Sequence, residues 1–151
     1  IKRKYHDTLF TAYHIADSNG EKLRKLIEEI HIMNYAIRIR IVAHSLGCEV
    51  VKAMLENNEN YLLIIGIHLF GSPLENSFLE PKNFNGVFNV INHYNPKDTV
   101  ILEGVAKGDL EEPSCLYNVN MVGTVTHIRS KRLYAKDHRF KSQMKALRSF
   151  P

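Results

Sequence analysis

The sequence of 151 residues lacks the features of several specialised protein classes. It has two cysteines, Cys48 and Cys115, which are too few for a disulfide framework and lack the paired spacing of a zinc site. We therefore expect both to be free thiols. None of the eight histidines forms a His-x-x-x-His pair beside a carboxylate, so no metal site is predicted.

Long apolar runs and clustered charge are also missing. No stretch approaches the roughly 20 apolar residues of a membrane-spanning helix. The 20 Lys and Arg residues against 16 Asp and Glu give a net charge of +4 that is mixed along the chain, whereas a nucleic-acid-binding surface normally shows a clustered basic patch. We expect a soluble protein, located in the cytoplasm, with no transmembrane segment and no nucleic-acid partner. Its oligomeric state stays open.

Length and composition fit one globular domain over residues 1–151. The hydrophobic share is 44% and the charged share 24%, close to the averages for folded proteins. The chain starts at Ile1 and not at methionine, so we keep N-terminal truncation as one interpretation.

Strand-like and helix-like patterns alternate along the first half of the chain. Strands are predicted over residues 8–15, 37–43, 62–70, 87–91 and 116–122. Helices are predicted over residues 18–33, where Ser18 to Glu21 matches a capping box, from residue 47 to the Asn57-Asn58 cluster, and over residues 139–150. This order predicts an α/β fold with a mainly parallel sheet of about five strands and helices on both faces.

Residues 41–48, Ile-Val-Ala-His-Ser-Leu-Gly-Cys, place Ser45 in the tight turn between an apolar strand and an amphipathic helix. Small residues, Ala43 and Gly47, stand two positions before and after it. In a nucleophile elbow the serine has a strained backbone and the strand and helix approach closely, so bulky residues at these positions would clash. The alternative interpretation is an ordinary strand-to-helix turn that contains a serine.

This segment resembles the Gly-x-Ser-x-Gly elbow of the α/β-hydrolase superfamily, in particular its lipase and esterase branch, with Ala43 in place of the first glycine. The resemblance implies an α/β-hydrolase-like fold in which the nucleophile Ser45 is followed along the chain by an acid and then by a histidine. It also implies that the backbone N–H of Leu46 is one donor of the oxyanion hole. No metal or organic cofactor is required by such a site.

The resemblance places the acid in the loop after a later strand, where Asp98 follows the Asn95-Pro96 turn and precedes two apolar residues. Asp98 is therefore the predicted catalytic acid. A turn former or helix cap is the alternative role for this aspartate. Asp109 and Glu103 are the other candidate acids.

The predicted base is His138, which lies just before the last predicted helix, as the histidine of this superfamily usually does. His127 is the competitor. It lies in a β-branched stretch, Val125 to Ile128, that reads as strand or extended chain.

Other site residues are predicted from their positions. His44 and Leu46 flank the nucleophile and are expected to line the acyl pocket. Ser72 follows a strand in a Gly-Ser-Pro turn at the edge where ligands bind in open α/β sheets, with a plain turn as the alternative. The second oxyanion donor normally follows an earlier strand. It lies upstream of Ile1, or residues 4–14 supply it in a reduced fold, or the protein is a weak catalyst.

Together these residues predict a serine hydrolase that acts on a small-molecule ester or lipid through Ser45, His138 and Asp98. Two alternatives remain: a catalytically weak or inactive binding module with the hydrolase fold, and a fragment of a larger hydrolase. The sequence does not identify the substrate, because one fold hosts many reactions.

Overall fold

The computed structural model describes residues 2–56, 64–84, 86–135 and 137–146. Their helices and strands are, in chain order, α1 (Lys2–Met33), β1 (Ile39–His44), α2 (Gly47–Glu56), β2 (Ile64–Phe70), β3 (Asn89–Tyr94), α3 (Thr99–Lys107), β4 (Met121–Val122), β5 (His127–Arg132) and α4 (Phe140–Ala146). Short 3-10 turns occupy Asn76–Phe78, Pro81–Phe84 and Ser114–Leu116.

The strands form one five-stranded sheet in the order β1-β2-β3-β5-β4. β1, β2, β3 and β5 are parallel to their neighbours, and β4 pairs antiparallel with β5 at the edge. The predicted α/β fold with a mainly parallel sheet is therefore confirmed. Because β1, β2, β3 and β5 are parallel, the loops that follow these four strands meet at one edge of the sheet.

The hydrophobic core lies between the sheet and the pair of helices α1 and α2. Its buried members alternate along the strands, as expected for one covered face of a sheet. They include Ile27, Val51, Met54, Ile67, Leu69, Val90 and Ile128. The helix α4 begins near the end of β1, where the Phe140 ring lies 5.5 Å from the ring of His44.

The long helix α1 corrects two sequence-based predictions. Residues 8–15 are helical and not a strand, and the helix does not begin at Ser18. Gly20, within the predicted capping box, has a packing role instead: a Cβ on Gly20 would stand 2.6 Å from the Cβ of Ala53, so the glycine allows α1 to pack closely against α2. Small residues, Ala16 and Gly20, continue the stripe of Leu23 and Ile27 without interrupting the helix.

The second half of the chain also differs in part from expectation. Within residues 116–122 only Met121–Val122 is strand. The stretch around His127 is strand β5, as its β-branched residues indicated. The helix α3 was not predicted, because its sequence has no clear apolar stripe. In the structure Ile101 is its one buried residue among those described.

Two simpler predictions concern cysteines and membranes. Cys48 and Cys115 are free, as predicted, and both are buried. Burial raises the pKa of the Cys48 thiol to about 12, so it is unsuited to act as a thiolate nucleophile at neutral pH. None of the helices in the described residues combines the length and the apolar character needed to cross a bilayer.

Candidate active site

Ser45 lies in the turn that joins the end of β1 to the start of α2. Its backbone N–H donates to the carbonyl of Phe70 at 2.9 Å, which extends the pairing of β1 with β2 by one residue. The φ angle of Ser45 is 54°, in the left-handed region that non-glycine residues rarely adopt. This strained turn presents the serine beyond the carboxyl end of the strand.

The two small flanking residues have different environments. Ala43 is 5% exposed and belongs to the core beneath the turn. A Cβ on Gly47 would meet nothing within 4 Å among the described residues. The expectation that a side chain at Gly47 would clash is therefore wrong, because α2 leaves open space at this position.

Three predicted site residues lie together at the carboxyl edge of the sheet. Ser45, Asp98 and His138 follow β1, β3 and β5, respectively. Ser45 Oγ lies 2.9 Å from His138 Nε2, and His138 Nδ1 lies 2.8 Å from Asp98 Oδ2. The carboxylate can only accept, so His138 donates from Nδ1 and its Nε2 is left to accept the serine proton. This is the geometry that activation of a serine requires.

Asp98 is fully buried and its carboxylate has three donors. Oδ1 accepts from the backbone N–H of Ile101 at 3.3 Å, which makes Asp98 the N-cap of α3. Oδ2 accepts from His138 and also from Gln143 Nε2 at 3.2 Å. The cap and the contact with His138, stated as alternatives from the sequence, are both present, because each uses a different carboxylate oxygen.

His44 contacts the histidine loop directly. Its Nε2 donates to the backbone carbonyl of His138 at 2.6 Å, and the two rings lie 4.9 Å apart. Burial lowers the pKa of His44, and the hydrogen bond to the His138 carbonyl opposes this shift in part. Through that hydrogen bond His44 holds the loop that carries His138. Its predicted place in an acyl pocket stays a prediction.

Leu46 directly follows the serine and is 39% exposed. Among the described residues its backbone N–H has no hydrogen-bond acceptor, whereas its carbonyl accepts from Glu49 at 3.1 Å. An amide left without a partner beside the serine hydroxyl is available to a developing oxyanion.

Ser72 lies in the turn after β2. It is fully buried, and its Oγ accepts from the backbone N–H of Leu74 at 3.3 Å. Ser72 thus forms part of the turn, and its predicted contact with a substrate stays a prediction.

The competing acids and base lie elsewhere. His127 is the first residue of β5, at the opposite edge of the sheet from Ser45, and packs edge-on against Phe88. Glu103 pairs with Lys107 on the exposed side of α3. Asp109 lines a cleft of about 390 Å³ whose other carboxylates are Asp17, Glu49, Glu56, Glu75 and Glu111. None of these three candidates contacts Ser45 or His138 in the described structure.

Gly71 is a site residue whose role the sequence did not indicate. It has a φ of 51°, and a Cβ there would lie 2.7 Å from His138 Cε1 and 3.0 Å from Gln143 Nε2. The glycine therefore makes room for the histidine ring, a demand that only the folded structure reveals.

We expect Gly71→Ala to lower kcat about 100-fold, because the new methyl group displaces the His138 ring from Ser45. The same clash and the positive φ should cost about 1–3 kcal/mol in the free energy of unfolding. Ester hydrolysis and thermal unfolding measure the two effects. Gly47→Ala is the matched control, with open space around the new Cβ and an unchanged thermal midpoint expected. Equal behaviour of the two variants would contradict this account of Gly71.

Among the described side chains, no group of three or more His, Cys, Asp or Glu residues is placed to hold a metal ion.

The similarity of the chain to known proteins bears on this site. The family model for lecithin:cholesterol acyltransferase matches residues 16–79. This stretch includes Ser45 with its flanking strand and helix and the turn at Gly71, and it ends before Asp98 and His138. The chain is thus similar to a lipase-like enzyme family, which supports enzymatic activity of that general kind. No curated protein and no solved structure matches the chain.

Proposed function

We propose that this chain is a serine hydrolase that forms an acyl-enzyme at Ser45 and transfers the acyl group to water. The observation that carries the proposal is the hydrogen-bonded series Ser45 Oγ, His138 Nε2, His138 Nδ1 and Asp98 Oδ2, with distances of 2.9 Å and 2.8 Å. A buried carboxylate, an imidazole and a serine in this order are what serine acyl transfer needs.

In the first half of the reaction Ser45 Oγ attacks the carbonyl carbon of an ester while its proton passes to His138 Nε2. The resulting tetrahedral intermediate carries its negative charge on the former carbonyl oxygen, near the N–H of Leu46. His138 then returns the proton to the departing alcohol, and the acyl group stays on Ser45. Asp98 keeps the imidazole in the required tautomer and stabilises its positive charge.

The second half repeats these steps with water as the nucleophile. His138 removes a proton from water as the water oxygen attacks the acyl carbon, and the proton is given to Ser45 when the acid leaves. No step consumes a redox equivalent or requires a metal ion. His44 supports both halves by binding the carbonyl of His138.

The family similarity favours an alcohol as a second acceptor for the same acyl-enzyme. The name of the matched family describes acyl transfer from lecithin to cholesterol. For this chain we accordingly propose a lipid or other apolar ester as the acyl donor, and an alcohol that competes with water in the second half. The ratio of free acid to new ester, measured with and without added alcohol, separates hydrolysis from transfer.

Labelling with a fluorophosphonate probe tests the proposal, since only an activated serine reacts quickly with it. We expect one phosphonate adduct per chain, located on the peptide that contains Ser45, together with turnover of a short-chain p-nitrophenyl ester. Pretreatment with the probe should abolish that turnover. A folded protein that is not labelled at Ser45 would instead be a non-catalytic binding module with the same fold.

A further inference from the structure

Gln143 is a buried polar residue of α4 that the proposed reaction does not use. It is fully buried, and its Nε2 donates to Asp98 Oδ2 at 3.2 Å. The same carboxylate oxygen accepts from His138 Nδ1 at 2.8 Å. Both residues come from one short segment of the chain, since His138 lies just before α4 and Gln143 lies within it.

The orientation of the amide is fixed by its partner. A carboxylate only accepts hydrogen bonds, so the NH₂ group of Gln143 must face Asp98. Its Oε1 then points away and has no hydrogen-bond partner among the described residues. An apolar side chain of the same length would fill this space without burying an unpaired oxygen. The contact with Asp98 is therefore what the amide contributes here.

That contact restricts the rotation of the carboxylate. Asp98 Oδ1 accepts a hydrogen bond from the N–H of Ile101. This bond alone would still allow the carboxylate to rotate and to move Oδ2 away from His138. A second donor at Oδ2 holds that oxygen against His138. Gly71 leaves space for this arrangement, since a Cβ there would crowd both His138 and Gln143.

We propose that Gln143 is a positioning residue that holds Asp98 Oδ2 against His138. This inference rests on the proposed hydrolase function. Gln143 does not contact the substrate. It acts through Asp98, by keeping the imidazole of His138 in line with Ser45 throughout the proton transfers.

The first test is Gln143→Met, which keeps the length of the side chain and removes the donor. We expect kcat to fall about tenfold with KM unchanged, because a misaligned catalytic group slows the chemical step and leaves binding intact. The thermal midpoint should be kept or raised, since the unpaired oxygen is also removed. Lys145→Gln, at an exposed position of the same helix, is the control and should leave kcat unchanged.

The second test separates positioning from packing by a double-mutant cycle. In an Asp98→Asn background, Gln143→Met should cause no further loss of kcat, because the carboxylate that it positions is gone. A role in packing alone would lower kcat equally in both backgrounds, and that result would overturn the proposal.

Gln143→Asn provides an independent variant, because its amide is one methylene too short to reach Asp98. It should lose as much of kcat as Gln143→Met. Full activity in either folded variant, or failure of both to fold, would contradict a positioning role. If the hydrolase proposal itself fails, the wild-type protein shows no turnover that depends on Ser45, so the two failures are distinguishable.

Discussion

Ser45→Ala should abolish ester hydrolysis, lowering kcat by about four to six orders of magnitude while the protein stays folded. The alanine has no oxygen to attack the ester, so the remaining structure can only bind the substrate. Residual catalysis would come from the Leu46 amide and from substrate binding alone.

The stability of Ser45→Ala should change little. The variant loses the hydrogen bond to His138 Nε2, which costs about 1 kcal/mol or less at a half-buried position. The steric cost of a φ of 54° is the same for serine and alanine, because both carry a Cβ. Functional serines of this kind commonly contribute to chemistry more than to stability.

Steady-state hydrolysis of a p-nitrophenyl ester and thermal unfolding measure these two effects. Ser77→Ala is the matched control, because Ser77 is exposed and its hydroxyl donates to the side chain of Glu75, away from Ser45 and His138. Turnover that persists in a clean Ser45→Ala preparation would remove Ser45 from the mechanism.

The position of Ser45 could be predicted because its signal is local. An apolar run, a serine and an amphipathic stretch within 20 residues specify a strand, a turn and a helix, and the structure has them as β1, Ser45 and α2. The parallel sheet could also be predicted, because strands that alternate with helices cannot be joined by short hairpins.

The wrong prediction for α1 and the missed helix α3 have physical causes that a single sequence does not show. Gly20 is small because α1 lies against α2, and the segment Ser18 to Glu21 matches a capping box although it lies inside a continuous helix. In α3 the apolar side chains Val100, Leu102 and Val105 are largely exposed, so no amphipathic stripe marked that helix. Its cap, Asp98, was predicted as the catalytic acid, with a turn former or helix cap as the alternative role.

The residues that surround Asp98 could not be found from sequence. Gln143 lies 45 positions from Asp98 along the chain, and Gly71 is recognised only by the atoms that a side chain there would meet. Spacing in the sequence carries no information about such distant contacts. The order of nucleophile, acid and histidine did constrain the choice of His138, and His138 is the histidine that lies beside Ser45.

His138→Ala should be nearly as damaging as Ser45→Ala, with kcat reduced by about four orders of magnitude or more. Without the imidazole, Ser45 has no group to accept its proton and the leaving alcohol has no donor. His127→Ala is the matched control for the loss of a histidine: it lies at the far edge of the sheet, packs on Phe88, and should leave kcat unchanged. Its thermal midpoint should fall modestly, because the ring contact is lost.

Free imidazole added to the His138→Ala variant provides a second test of the role of His138. The deleted ring leaves a space between Ser45 and Asp98 in which free imidazole can accept the serine proton, so we expect partial recovery of activity that saturates with imidazole concentration. The double variant Ser45→Ala, His138→Ala should show no recovery, which excludes hydrolysis by imidazole in solution. If His127→Ala lost activity and His138→Ala kept it, the distances of 2.9 Å and 2.8 Å at His138 would have no catalytic meaning, and the proposed mechanism would be wrong.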